Sequence, residues 1–151
     1  VSTRTYRKAA PGDAPACIDI RARTRENAFS EEQLRELGIT VESWSEGIRD
    51  GSLPGYFCCM DDRMIGYCFG DRDTGEIVVL ALLPEYEGKG IGRALLQLVV
   101  DDFRAAGFSR LFLGCSTDAA VRSYGFYRHL GWVSTGELDD ADDEILEIRL
   151  G

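Results

Sequence analysis

The chain has 151 residues, 44% of them hydrophobic, and its 26 acidic and 17 basic side chains leave a net charge of −9. That length suits about one domain with a buried core, and the negative surface field disfavours nucleic acid and anionic membranes as partners. No apolar stretch approaches the roughly 20 residues that span a bilayer, and the N-terminal segment VSTRTYRKAAPGDAP lacks the apolar core of a signal peptide, so the expected location is the cytoplasm.

Along the chain, residues 5–8 read as a first strand. A helix is expected over residues 13–24, opened by Asp13 with Pro15 in its first turn. Residues 29–39 carry Glu31, Glu32, Arg35 and Glu36 and read as a helix or an irregular segment, whereas residues 41–50 form a helix that Gly51 ends. Residues 56–60 and 64–69 are strands joined by a tight turn at Asp61, Asp62 and Arg63. The apolar run from Ile77 to Leu83 opens on three β-branched residues and stops at Pro84, as a buried strand would. Ile91, Leu95, Leu98, Val99, Phe103 and Ala106 recur at three- and four-residue spacing and make one apolar helix face, which Gly107 ends. A strand at 111–115, a helix at 119–130 and strands at 132–137 and 144–150 follow. The result is an α/β (α+β) domain over residues 1–151, a mixed sheet of six or seven strands with helices on both faces. Five cysteines, Cys17, Cys58, Cys59, Cys68 and Cys115, form no C-x-x-C pair and leave one over, so reduced core thiols are expected rather than disulfides or a metal site.

Gly88, Gly90 and Gly92 fall where the long helix begins. A helix N-terminus presents unpaired N–H groups and about half a positive charge, and glycines let a phosphate approach the backbone. A P-loop is excluded, because Lys89 is followed by Gly90 with no hydroxyl beside it. The dinucleotide fingerprint fits poorly, since the loop reads G-x-G-x-G and lies several residues past Leu83. What remains, LPEYEGKGIGRALL, resembles the Q/R-x-x-G-x-G/A pyrophosphate loop of the GNAT superfamily of acyl-CoA-dependent N-acetyltransferases, with Glu87, Gly90 and Gly92 at its defining positions. Downstream, VRSYGFYRHLGW is similar to the family's FYxxxGF segment, carried by Phe126, Tyr127, Gly131 and Trp132.

The resemblance implies a GNAT-like, mostly antiparallel sheet and acetyl-CoA as co-substrate, with no metal. It assigns pantetheine to the backbone of Leu80, Ala81 and Leu82, and the pyrophosphate to Gly88, Lys89, Gly90, Ile91, Gly92 and Arg93. The acceptor must be a neutral amine when it attacks. An amine of pKa about 10.4 is neutral at a cost of about 4.6 kcal/mol at pH 7, an α-amine near pKa 8 at about 1 kcal/mol. Glu76, at the start of the apolar strand, is the expected base, because burial raises a carboxylate towards the working range and the family's histone-type members carry a glutamate there. A backbone N–H near Leu82 is expected to face the developing oxyanion, and Tyr127 to protonate the departing thiolate.

Three positions depart from the family pattern. Glu87 places a negative charge where Gln or Arg is common, Ala120 stands where Asn often contacts the cofactor, and Cys115 occupies the position of a glutamate base in ribosomal-type members. His129 lies about 200° round the helix from Tyr127 and is not expected to share its work. Asp139, Asp140, Asp142, Asp143 and Glu144 read as a solvated hairpin loop. The reading is thus an N-acetyltransferase acting on a primary amine of a small molecule or peptide. Net acidity points to a cationic acceptor, held between Asn27 to Ile39 and Gly136 to Asp143. A non-catalytic acyl-CoA sensor or partner-binding module is the alternative, and a homodimer is left open.

Overall fold

The computed structural model describes residues 4–23 and 30–150. Thr24, at the expected end of the first helix, and the expected acceptor-pocket residues Asn27 and Ala28, with Phe29, lie outside the described residues. Among the described residues seven strands are formed: β1 (Arg4–Lys8), β2 (Gly55–Met60), β3 (Arg63–Asp71), β4 (Glu76–Leu82), β5 (Arg110–Cys115), β6 (Val133–Leu138) and β7 (Glu144–Arg149). They make one sheet in the order β1-β2-β3-β4-β5-β7-β6. Every neighbouring pair is antiparallel except β4 and β5, which run parallel. The mixed, mostly antiparallel sheet read from the sequence is the one the chain forms.

Helices α1 (Ala14–Arg21), α2 (Glu31–Glu36), α3 (Val41–Asp50), α4 (Ile91–Ala105) and α5 (Arg122–His129) connect the strands. The strand register shows which face each covers. The Tyr67 hydroxyl donates to the Cys17 carbonyl of α1 (2.9 Å), and Trp44 of α3 meets Phe69 edge-on at 5.2 Å. Tyr67 and Phe69 lie opposite Ala81 and Val79, so all four face α1 and α3. The alternate residues face α4: Tyr56, opposite Cys68, donates to Asp102 (2.9 Å), and a Cβ at Gly70 would come within 2.2 Å of the Phe103 ring. Gly70 is therefore glycine because α4 approaches the strand closely.

Several boundaries differ from those expected, each for a local reason. The hairpin turn is two residues, Asp61 (φ 51°) and Asp62 (φ 69°), so Arg63 already belongs to β3. Asp13 stands at the N-cap position of α1 as expected, but its carboxylate makes no capping bond and turns back to the Ala10 N–H (2.8 Å) and to Arg7, and the helix ends at Arg21, short of the expected Thr24. The Asp118 side chain accepts the Ala120 N–H (2.9 Å), and this local turn delays α5 to Arg122. Trp132 donates to the Tyr127 carbonyl (3.1 Å) beside Gly131 at φ +101°, a helix-ending motif that keeps Trp132 out of β6. On α4 the buried residues are Ile91, Leu95, Leu96, Val99, Val100 and Phe103, while Leu98 is half-buried and Ala106 exposed. A helix laid on a broad sheet buries adjacent pairs such as Leu95 and Leu96, a wider stripe than the single row read from spacing. All five cysteines are free and buried.

Two irregularities shape the centre of the sheet. Val79 pairs with Phe69 and Ile77 with Gly70, which leaves Val78 as an extra residue, a bulge, in β4. Next to it, β4 and β5 share the single register pair Glu76 and Phe112, beside the Phe112 N–H bond to Gly75 (3.1 Å). Beyond Glu76 the two strands part.

Candidate active site

The opening between β4 and β5 holds a cleft of about 170 Å³. Its floor is Leu80, Ala81 and Leu82. The Leu83 N–H donates to the Ile65 carbonyl (2.9 Å), so by strand alternation Ala81 also points its N–H and C=O at β3. Leu80 and Leu82 then aim theirs into the opening. Of the three strand residues expected to bind through backbone, two present it to the cleft, and Ala81 contributes only surface because its polar atoms belong to the β3 ladder.

The glycine loop forms one wall, with Gly88, Gly90, Ile91, Gly92 and Arg93. Gly88 (φ +77°) and Gly90 (φ +81°) are left-handed, and a Cβ on either would meet nothing within 4 Å. Glycine is needed there for the backbone conformation, and the space over the loop is open. The first intrahelical bond of α4 runs from the Ala94 N–H to the Gly90 carbonyl (3.1 Å), so the N–H groups of Ile91, Gly92 and Arg93 have no partner within the helix. Lys89, expected on the pyrophosphate, is exposed and does not line the cleft. It stands between two left-handed glycines that turn its side chain outward. The positive charge of the wall comes instead from Arg93, Arg122 and Arg21, with Glu87 as the carboxylate among them.

Tyr127 closes the cleft from α5. Its ring packs edge-on against Phe126 (5.0 Å) and Trp132 (6.0 Å), and its hydroxyl has no hydrogen-bond partner among the described residues. Burial pushes the phenol well above its ordinary value, Cys68 and Cys115 push it the same way, and the Arg21 guanidinium pulls it back. Glu76 is half-buried, and its carboxyl is raised by burial first, then by Asp71 and Asp139. It lines neither this cleft nor the second cavity described below. Four residues of strand put roughly 13 Å between the Glu76 and Leu80 Cα atoms. Glu76 and Tyr127 are thus not brought into contact.

The β6–β7 loop is more ordered than a solvated run of carboxylates. Asp139 accepts the N–H groups of Ala141 (2.9 Å) and Asp143 (3.0 Å), and its carboxylate lies over Gly114, 2.7 Å from where a Cβ would stand. Gly114 and Phe112 share a face of β5 opposite to Cys115, whose thiol reaches the Ser123 carbonyl of α5 (3.6 Å). Asp139 and Glu76 therefore lie on the α1 face of the sheet, away from α5. His129 is exposed. Sequence reasoning missed Arg21, Arg122 and Ser123 as parts of the cleft wall. Arg122 and Ser123 lie within six residues of Tyr127 at the start of its helix, a signal that was present; Arg21 had none.

The model of the acetyltransferase (GNAT) family matches residues 14–132, from the start of α1 to Trp132, three residues past the end of α5. The chain belongs to the GNAT family. Curated relatives include a mycothiol acetyltransferase of Beutenbergia cavernae, 40% identical over 62 residues, which are 41% of this chain and 20% of that protein. An amino-acid acetyltransferase of Neisseria meningitidis is 31% identical over 124 residues, 81% of this chain and 27% of that protein. The match to each of these relatives thus spans about a fifth to a quarter of its length. Among solved structures, the PaiA N-acetyltransferase of Thermoplasma acidophilum in complex with coenzyme A superimposes with a TM-score of 0.81 at 22% identity, over 98% of this chain and 99% of that one. That likeness shows the GNAT fold. Among the described residues no cluster of His, Cys, Asp and Glu is placed to hold a metal ion, and no helix is long and apolar enough to cross a membrane.

Proposed function

We propose that the chain is a cytoplasmic N-acetyltransferase that moves the acetyl group of acetyl-CoA to a primary amine of a small molecule or peptide by direct attack. The opening between β4 and β5 carries this reading. It puts two outward-facing strand amides, a left-handed glycine loop at a helix N-terminus and a buried phenol around one cleft. Each feature fits a part of the co-substrate. The N–H and C=O groups of Leu80 and Leu82 can pair with the amides of pantetheine. The open space over Gly88 and Gly90, the free N–H groups of the first α4 turn, Arg93 and Arg122 suit a pyrophosphate.

When bound, acetyl-CoA supplies an acyl group activated as a thioester. The Leu82 N–H, aimed into the opening, stabilises the charge that develops on the carbonyl oxygen. Tyr127 holds a proton for the departing sulfur, and its raised pKa keeps that proton in place at neutral pH. Glu76, raised above the usual carboxylate range, accepts the amine proton through water, since the strand leaves it roughly 13 Å from Leu80 and a glutamate side chain spans less than half of that. The Neisseria relative, an amino-acid acetyltransferase by name, supports a small amine as acceptor.

Glu87 in the cradle wall favours a second reading, an acyl-CoA sensor without turnover. Calorimetric titration of acetyl-CoA into the parent chain and a Gly90→Glu variant, followed by thiol release with an amine panel, decides the matter. Binding by the parent, lost in the variant, with amine-dependent thiol release supports the enzyme. Binding without release supports the sensor, and no binding by the parent refutes both.

A further inference from the structure

A second cavity, of about 80 Å³, lies on the opposite face of the sheet from α4, between α1, α3, the segment around α2 and β4. Leu34, Leu37, Ile39 and Trp44 form its outer walls, and Val78 and Val79 form its floor on β4. Arg21 is the charged residue among the described residues of its lining, and it also lines the cleft with Tyr127. The two cavities therefore meet at Arg21, and their floors are consecutive residues of one strand, Val78 and Val79 against Leu80 to Leu82. The bulge at Val78 and the parting of β4 from β5 place this junction where the sheet is open. Glu76 lies on the same face as this second cavity, two residues before Val78.

We infer that this cavity holds the body of the acceptor, and that the acceptor is a small primary amine on an apolar aliphatic or aromatic body, not a polycation. The inference rests on the acetyltransferase reading. An amine whose body sits among Leu34, Ile39, Trp44 and Val78 directs its nitrogen towards the opening at Leu80. There the N–C bond forms and the C–S bond breaks; the amine proton leaves through water to Glu76, and the sulfur takes the proton of Tyr127. A second ammonium on the acceptor would lose its hydration among mostly apolar walls, whose described residues offer it no carboxylate. The volume fits the same class. At ~10–15 Å³ for each water-sized group, about 80 Å³ accepts roughly five to eight such groups, a range that includes a branched five-carbon chain and a phenyl ring. The acidity that pointed to a cationic acceptor is elsewhere: Asp139 and its neighbours fold onto β5 at Gly114, outside this lining.

The test compares isoamylamine and phenethylamine with putrescine and spermidine as acceptors at saturating acetyl-CoA. Rates are compared per neutral amine, so that differences in basicity do not bias the result. The apolar pair should show kcat/KM about tenfold or more above the polyamines. Leu37 is 65% exposed, so a Leu37→Asp variant puts a carboxylate at the cavity without disturbing the core. It should raise the KM for phenethylamine about tenfold while acetyl-CoA affinity stays unchanged. Equal or better use of polyamines, no turnover of either set despite acetyl-CoA binding, or an unchanged KM in the variant overturns the assignment of the cavity. Polyamine turnover with tight acetyl-CoA binding defeats this inference alone, whereas failure to bind acetyl-CoA defeats the acetyltransferase reading beneath it.

Discussion

Replacing Tyr127 by Phe isolates one oxygen atom. The hydroxyl has no hydrogen-bond partner among the described residues, and the packing against Phe126 and Trp132 is made by the ring. Stability should therefore change by no more than about 0.5 kcal/mol, the range of a substitution that breaks no contact. Acetyl-CoA affinity should be nearly unchanged. The rate should not be. A phenol of ordinary pKa near 10 gives its proton to a thiolate of pKa near 8.5 at a cost of about 2 kcal/mol, and burial of Tyr127 makes the step costlier. Water is a far weaker acid and is not held in place, so losing the positioned donor should lower kcat by roughly 10²-fold or more. Thiol release reports turnover directly, and because Cys17, Cys58, Cys59, Cys68 and Cys115 are all buried the protein adds little background. A kcat loss under about tenfold, or a matching loss of acetyl-CoA affinity, would falsify the acid role and leave Tyr127 a packing residue.

Two further outcomes follow from the titrating groups. Glu76 must be ionised to accept a proton, and its raised carboxyl moves the acid limb of kcat/KM above the ordinary carboxylate range; Glu76→Gln should abolish that limb, and an unchanged limb in the variant would return amine deprotonation to solvent. Burial pushes the Cys17 thiol up to about 12 and Cys68 in the same direction. A raised folded-state pKa gives stability that is complete below the unfolded thiol value and is lost as pH rises through the folded one. Each such thiol should then withdraw about 1.4 kcal/mol per pH unit above pH ~9, so Tm should fall steeply between pH ~9 and ~11 and less steeply in Cys17→Ala; the same slope in both chains would remove Cys17 from the account.

Much of the fold was legible because local signals agreed with the packing. The run from Ile77 to Ala106 carried the central strand, the glycine loop and the long helix in order, and the strand order places that unit at the middle of the sheet. What escaped depended on partners distant in the chain. Nothing in the sequence around Arg21 marks it as the residue shared by two cavities, since that follows from where α1 lies against β4. The composition of the glycine loop could not show that Lys89 turns outward, because that depends on the positive φ of Gly88 and Gly90. The separation of Glu76 from Tyr127 was equally hidden: both fit chemical roles, but only the register puts one on the α1 face and the other on α5. The start of α5 was missed because the Asp118 side chain satisfies the Ala120 N–H in a local turn and delays the helix to Arg122.

The single shared pair between β4 and β5 also divides the molecule mechanically. Strands β1 to β4 form one leaf and β5 to β7 another, and along the seam the amides of Leu80 and Leu82 that would have been rungs face the cleft. A ladder interrupted at its centre can breathe where a continuous one would resist. Whatever occupies the seam with its own amides completes the sheet as a borrowed strand. Substrate capture and the cohesion of the two leaves then become one event, and the loaded chain is the more rigid body.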